Sequence, residues 1–388
     1  MRLICVTVGL LVLVLGCTSV DTNSKLSPAQ LDELATYVSE HGQAPADYVI
    51  DKFHDHLIII IGEQHRIKHD VEFVGGLIPT LYDNGIYHLA TEFGRREDQP
   101  LIDSLLARDE WDEMLAREIG FKQFVHWGYR EYLDIYKAAW ALNSQLPDTA
   151  RKFSIIAMGN SPDWSVMEKP EDRDVDSLKR LVWHGERESD WAEPVLAAVA
   201  DGNKVLVHCG IHHGFSRYLQ PKLKGDGTFS GYYEEDRVGR HLYNACGDSV
   251  MTIFMHAMWS GPGGYGDDWV RPADGIIDTV MALLGPEHYP VGFDIVNSPL
   301  TDIVIENAVY KRGYVPFTLD EFCDGWIYHR PFSEYDVVTA IDGFYTEDNI
   351  DWARAQSPNP RFRDASIEDF ENALQRTLDG HRQRLREL

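Results

Sequence analysis

Five consecutive apolar residues, Leu57 to Ile61, interrupt the polar N-terminal part of the chain. A continuous β-branched run of this kind suits a strand buried on both faces, as in a parallel sheet. After it, Val71, Val74, Ile78 and Leu81 recur at helical spacing over residues 67–84, and Asn84-Gly85 closes the helix. A second strand follows at 88–93. The alternation then continues: an amphipathic helix at 129–146, a strand at 153–158, two polar helices around 171–201, and a strand at 205–208. A helix over 233–246 stopped by Gly247 precedes a strand at 250–255, and a helix at 273–284 precedes a strand at 291–296. Strand and helix alternating in this way predict parallel βαβ units. The expected fold is α/β, a mostly parallel central sheet of six strands with helices on both faces. Residues 326–329 read as a further edge strand and 365–387 as a terminal helix.

Two stretches depart from that rhythm. Residues 94–128 are longer than a βα crossover needs and predict short helices forming a lid over the C-terminal strand ends. Residues 260–268 are rich in glycine but lack the Lys-Ser or Lys-Thr ending of a phosphate loop; they read as a rim loop. At the start, Ser27-Pro28 marks a helix N-terminus, with Leu31, Leu34 and Val38 on one face.

Residues 1–16 form a secretory signal: Arg2, then an apolar stretch too short to span a bilayer. Val14-Leu15-Gly16-Cys17 resembles a bacterial lipobox, which makes Cys17 the lipidated residue and 17–26 a tether. The membrane is thus an expected partner through the lipid anchor. By resemblance to enterobacterial lipoprotein sorting, Thr18 rather than Asp after the cysteine implies the outer membrane, facing the periplasm or the cell surface. The expected organisation is one domain over 27–340 and a helical extension over 341–388.

The 388 residues carry 36 basic and 62 acidic side chains, a net charge of −26. That excess argues against a nucleic-acid partner, which needs clustered Lys and Arg. Cys209, Cys246 and Cys323 remain beyond the signal and anchor. They allow at most one disulfide and require none, and without a CxxC pair there is no zinc ribbon.

In an open parallel sheet the active crevice lies beyond the carboxyl ends of the strands. The chemistry-bearing residues gather there. Gly62-Glu63-Gln64-His65 follows the first strand and Glu92 ends the second. Cys209-Gly210-Ile211-His212-His213-Gly214 follows the fourth, His256 ends the fifth, and Asn297 follows the sixth. Trp127 and Glu131 open the long helix. Such a set can hold a divalent metal that activates water, with His65, Glu92 and His213 as ligands and His212 and His256 as further candidates. Alternatively a His–carboxylate pair acts as general base without metal. Glu63, His65, Glu92 and His213 are the candidate catalytic residues, and Trp127, Glu131 and Asn297 the candidate substrate contacts. His208 reads as a core histidine, His69 as solvent-facing, and Cys209 as a buried thiol. No GxSxG elbow supports a serine nucleophile.

The order of these motifs resembles the ChaN-like/Tiki/erythromycin-esterase superfamily. Gly62-Glu63-Gln64-His65, Ala90-Thr91-Glu92, Trp127-Gly128-Tyr129-Arg130-Glu131-Tyr132 and Gly210-Ile211-His212-His213-Gly214 carry the resemblance, which covers about residues 55–260. It implies an α/β fold with a His/Glu site. Depending on the branch, it implies haem or iron binding, metal-dependent peptide cleavage, or ester hydrolysis by activated water. Arg66 after His65, and His69 four residues on, depart from the esterase pattern. The expectation is therefore an envelope lipoprotein that acts as a metal-dependent hydrolase, cleaving a small-molecule or peptide amide or ester with activated water, with a haem- or iron-binding lipoprotein without turnover as the alternative.

Overall fold

The computed structural model describes residues 26–233, 237–266 and 268–388. The signal segment and Cys17 lie outside the described residues. The seven-stranded sheet comprises β1 (Ile58–Glu63), β2 (His88–Arg95), β3 (Ser154–Gly159), β4 (Val205–Gly210), β5 (Val250–Met255), β6 (Val291–Asp294) and β7 (Gly325–Tyr328). Its order is β6-β7-β5-β1-β4-β2-β3. All neighbours run parallel except β6, which is antiparallel to β7. The α/β fold is as expected, with two differences at one end. Residues 325–328 are not an edge strand but lie inside the sheet, between β5 and β6. The sixth strand is the edge, and it is reversed.

Besides a single turn at Leu319–Phe322, the helices are α1 (Pro28–His41), α2 (Pro45–Lys52), α3 (Lys68–Asp83), α4 (Gln99–Leu106), α5 (Glu113–Gln123), α6 (Arg130–Gln145), α7 (Asp176–Val182), α8 (Glu188–Ala200), α9 (Val238–Cys246), α10 (Ile276–Leu284), α11 (Ile350–Gln356) and α12 (Ile367–Glu387). Local chemistry sets several of their starts. Ser27 caps α1 in a reciprocal box with Gln30, and Ser366 does the same for α12 with Asp369. Gly85, at φ +76°, ends the turn after α3. Between α1 and α2 the chain touches the sheet: Gln43 and Gly292 exchange two backbone hydrogen bonds across the outer side of β6. The glycine-rich stretch is closed at its base, since Trp259–Ser260 pairs with Trp269–Val270.

Strand parity divides the core. Ile59, Ile61, Leu89 and Leu206 pack with α3, α4, α5 and α6 on one face. Ile58, Ile60, Ala90, Val205, Val207 and Cys209 pack with α8 and α9 on the other. A third cluster joins α1 and α10 to β5, β6 and β7. Residues 341–388 are not appended to this core. Ile341, Tyr345, Phe370, Leu374 and Leu378 are buried in the same cluster as α3 and α6, so the expected boundary at 340 cuts through one apolar core. Phe370, fully buried against Tyr345 and Phe362, measures this. Phe370→Ala is expected to lower the urea-unfolding free energy of the whole domain by about 3–5 kcal/mol in one transition. An unchanged midpoint would show that the C-terminal segment is independent.

Cys209, Cys246 and Cys323 are free thiols. Among the described residues no helix is long and apolar enough to cross a membrane.

Candidate functional site

The side chains that converge at the carboxyl rim come from both faces of the sheet. Glu63 shares the face of Ile59 and Ile61, and His208, two residues beyond Leu206, shares it too. That face is covered by α6, which brings Tyr132. Glu92 belongs to the other parity, with Ala90. His65 lies past the end of β1 and bridges the two sets over the strand tips.

Glu63 is the hub. Its side chain is completely buried and all three of its hydrogen-bond partners are donors. His65 Nδ1 (2.9 Å) and the Tyr132 hydroxyl (2.6 Å) meet Oε1, and His208 Nε2 (2.8 Å) meets Oε2. Burial alone would raise its pKa. The charge and hydrogen bond of His208, with the hydrogen bond of His65, outweigh burial and hold the carboxyl at about 2. An ionised carboxylate only accepts, so His65 must carry its proton on Nδ1 and His208 on Nε2. The lone pair of His65 Nε2 is thereby directed away from Glu63.

Nε2 of His65 stands 3.4 Å from Glu92 Oε1. The other oxygen of Glu92 accepts the Gly210 N–H (3.1 Å), which fixes the carboxylate at the tip of β4. The imidazole packs close over that strand tip. A methyl group at Gly210 would sit 2.6 Å from His65 Cε1 and 2.8 Å from Nε2, so only glycine leaves room for the ring here. Trp127 and Phe93 wall the ring edge-on, with centroids 5.2 and 5.7 Å away. His65 itself keeps 30% of its side chain exposed, against 8% for Glu92.

His213 reaches Glu92 from the opposite side, Nε2 to Oε2 at 3.7 Å. Its Nδ1 lies 3.0 Å from Glu188, whose second oxygen pairs with Arg237 at 2.7 Å. Glu188 also accepts the Val238 N–H (2.9 Å). Burial would depress the imidazole, but the charges of Glu188 and Glu92 outweigh it and raise the His213 pKa. Burial would conversely raise Glu188, but the charge and hydrogen bond of His213, helped by Arg237, lower it. An imidazolium at His213 facing Glu92 is thus favoured beside a His65 that is oriented as a base.

The structure brings together Glu63, His65, Glu92, His213 and Trp127, but not the other candidates. His212 turns away, its Nε2 2.9 Å from the Tyr310 hydroxyl, and burial depresses it to about 3. His256 is fully buried against Trp326 and Asp278, in a second polar cluster. His69 belongs to that cluster beside Asp70 and His329; it is buried, not solvent-facing. Glu131 is a structural bracket: its carboxylate accepts the backbone N–H and hydroxyl of Thr339, both at 2.8 Å. Asn297 lies at the opposite rim, because β6 runs antiparallel and its end points toward the strand starts, near Asp248 and Asp324.

Sequence reasoning missed Tyr132, Glu188 and the role of His208. Tyr132 lies inside the Trp127–Tyr132 motif, and His208 one residue before Cys209-Gly210; period-two parity between β1 and β4 places Glu63 and His208 on one face. Cys209 is a buried thiol, and burial and then the charge of Glu92 push its pKa well up.

Of the residues expected to hold a divalent metal, His65 and His213 flank Glu92, at 3.4 and 3.7 Å. Both oxygens of Glu63 are taken by donors. Among the described residues no three His, Cys, Asp or Glu side chains are placed to hold an ion.

No protein-family profile matches the sequence, and no curated protein matches it. Solved structures do. A Bacillus cereus protein shares 11% identity at a TM-score of 0.49, over 77% of this chain and 97% of that one. A succinoglycan biosynthesis protein shares 10% identity at 0.49, over 79% and 98%. An erythromycin esterase mutant in its open conformation shares 10% identity at 0.45, over 77% and 95%.

Proposed function

We propose that this chain is a hydrolase of the cell envelope, lipid-anchored through Cys17, that cleaves an ester or amide with water activated by His65 and without a resident metal. The observation that carries the reading is the placement of one imidazole between two carboxylates, Glu63 on Nδ1 and Glu92 facing Nε2.

In this reading the attacking water approaches His65 Nε2 from the exposed side of the ring, within reach of Glu92. As its oxygen adds to the carbonyl, one of its protons passes to Nε2. Ionised Glu63, completely buried, stabilises the imidazolium that forms and keeps the ring aligned. Collapse of the tetrahedral adduct breaks the bond to the leaving group, which takes the proton from His65. The acyl carbon keeps the hydroxyl oxygen of water. His213, whose charge Glu188 and Glu92 favour, lies across Glu92 from His65 and is available to meet the developing oxyanion. Tyr132 and His208 are positioning residues, since each acts through Glu63.

A panel of activated esters and chromogenic peptides, assayed on the detergent-solubilised full-length chain before and after exhaustive dialysis against chelator, tests this. Turnover is expected to survive dialysis while elemental analysis finds less than stoichiometric metal. Activity lost on chelation and restored by zinc or manganese would replace the reading with a metal-dependent one.

A further inference from the structure

We propose that Arg66 forms an anion subsite beside His65, so that the substrate class is an ester or amide bearing a carboxylate or phosphate a short linker away from the scissile bond. This rests on the hydrolytic reading above.

Three observations carry it. First, the backbone at Arg66 is left-handed, φ +73°, a conformation that costs a side-chain-bearing residue energy and that glycine or asparagine would adopt more cheaply. Neighbours hold it there. The Arg66 N–H donates to the Tyr132 hydroxyl (3.1 Å), and the Arg66 carbonyl accepts the Val338 N–H (3.1 Å). Such strain persists where surrounding structure over-determines it, and it clusters at functional sites.

Second, the side chain is aimed at the site wall. Its guanidinium carbon lies 4.2 Å from the centre of the Trp127 ring and 5.6 Å from that of Tyr129, and Nε donates to the Tyr129 hydroxyl (3.2 Å). Trp127 in turn lies edge-on to His65. The guanidinium therefore sits one aromatic ring away from the base, preorganised by stacking rather than by an ion pair.

Third, Arg66 has no carboxylate partner among the described residues. Five other arginines around the sheet are matched by carboxylates: Arg95 with Asp98, Arg96 with Glu186, Arg130 with Glu113, Arg237 with Glu188, and Arg217 with Asp324. In a chain with 62 acidic and 36 basic side chains, a half-buried guanidinium left unpaired next to the reacting groups leaves its terminal nitrogens for an external anion. Planar, two-pronged donors of this kind suit carboxylate and phosphate alike.

The test compares the acetyl ester and the succinyl half-ester of p-nitrophenol on the full-length chain. Wild type is expected to favour the succinyl ester in kcat/KM. Arg66→Gln should lower the succinyl-to-acetyl ratio by about ten-fold, the worth of one charge-assisted hydrogen bond, and Arg66→Lys should restore part of it. A ratio unmoved by Arg66→Gln overturns the proposal. Thermal unfolding supplies a readout that needs no turnover. Millimolar succinate or inorganic phosphate should raise Tm in wild type and in His65→Asn, but not in Arg66→Gln. Which of the two anions acts tells carboxylate from phosphate. No shift with either in wild type also overturns the subsite. If neither ester is turned over but the Arg66-dependent shift is seen, the hydrolytic reading fails and the anion subsite stands.

Discussion

His65→Asn is expected to cut turnover of any ester or amide substrate by about 10²–10⁴-fold while leaving the urea midpoint close to wild type. Asparagine can still donate to Glu63, so the buried carboxylate keeps a partner in place of the imidazole. What disappears is the basic lone pair at Nε2. The position is also partly exposed, at 30% of the side chain, so little apolar burial is lost. The loss should fall on kcat more than on KM, because the imidazole bonds the water only as it attacks. An equal loss in His65→Asn and in a globally destabilised control such as Phe370→Ala would sink the role of His65 as base.

Glu63→Gln tests the hub, with a different signature. An amide both donates and accepts, and here three donors surround it: His65, His208 and Tyr132. One of them must face the amide N–H₂. Removing one partner of a buried charged network leaves the others uncompensated and costs about 3–5 kcal/mol, so both stability and activity should fall. The pH dependence identifies the cause. Folding lowers the Glu63 pKa from 4.5 to about 2. Its contribution to stability is therefore fully present above the unfolded value of 4.5, and it is lost as pH falls from there toward about 2. Wild type should lose stability faster than Glu63→Gln across that window. A stability gap between the two proteins that is equal at pH 3 and pH 7 would argue against an ionised Glu63 in the native state.

The parts legible in the sequence were those with local signals. The run from Ile58 to Ile61, the cap at Ser27, and the placement of Glu63, His65, Glu92 and His213 at or near strand ends can all be read within a few residues. What could not be read depends on long-range pairing. Nothing in residues 291–296 or 326–329 says that the second will insert between the first and β5 or that the first will run antiparallel to it, yet that reversal sends Asn297 to the far rim. Tyr132 meets Glu63 from 69 residues away, and His208 from 145. Glu188 looked like one more acid in a polar helix until α8 set its first residue against His213. Glu131 misled because a carboxylate at a helix start can serve the backbone as well as a ligand, and Thr339 takes both of its oxygens.

The reversed outer strand has a consequence for how copies of this protein meet one another. A sheet that ends in a strand with free N–H and C=O groups can recruit a neighbour's strand and grow. Here β6 is four residues long, and the bonds exchanged by Gln43 and Gly292 occupy its middle. The turn between the first two helices thus acts as a stopper against strand addition. At that edge a neighbour's strand would find the central backbone bonds already taken.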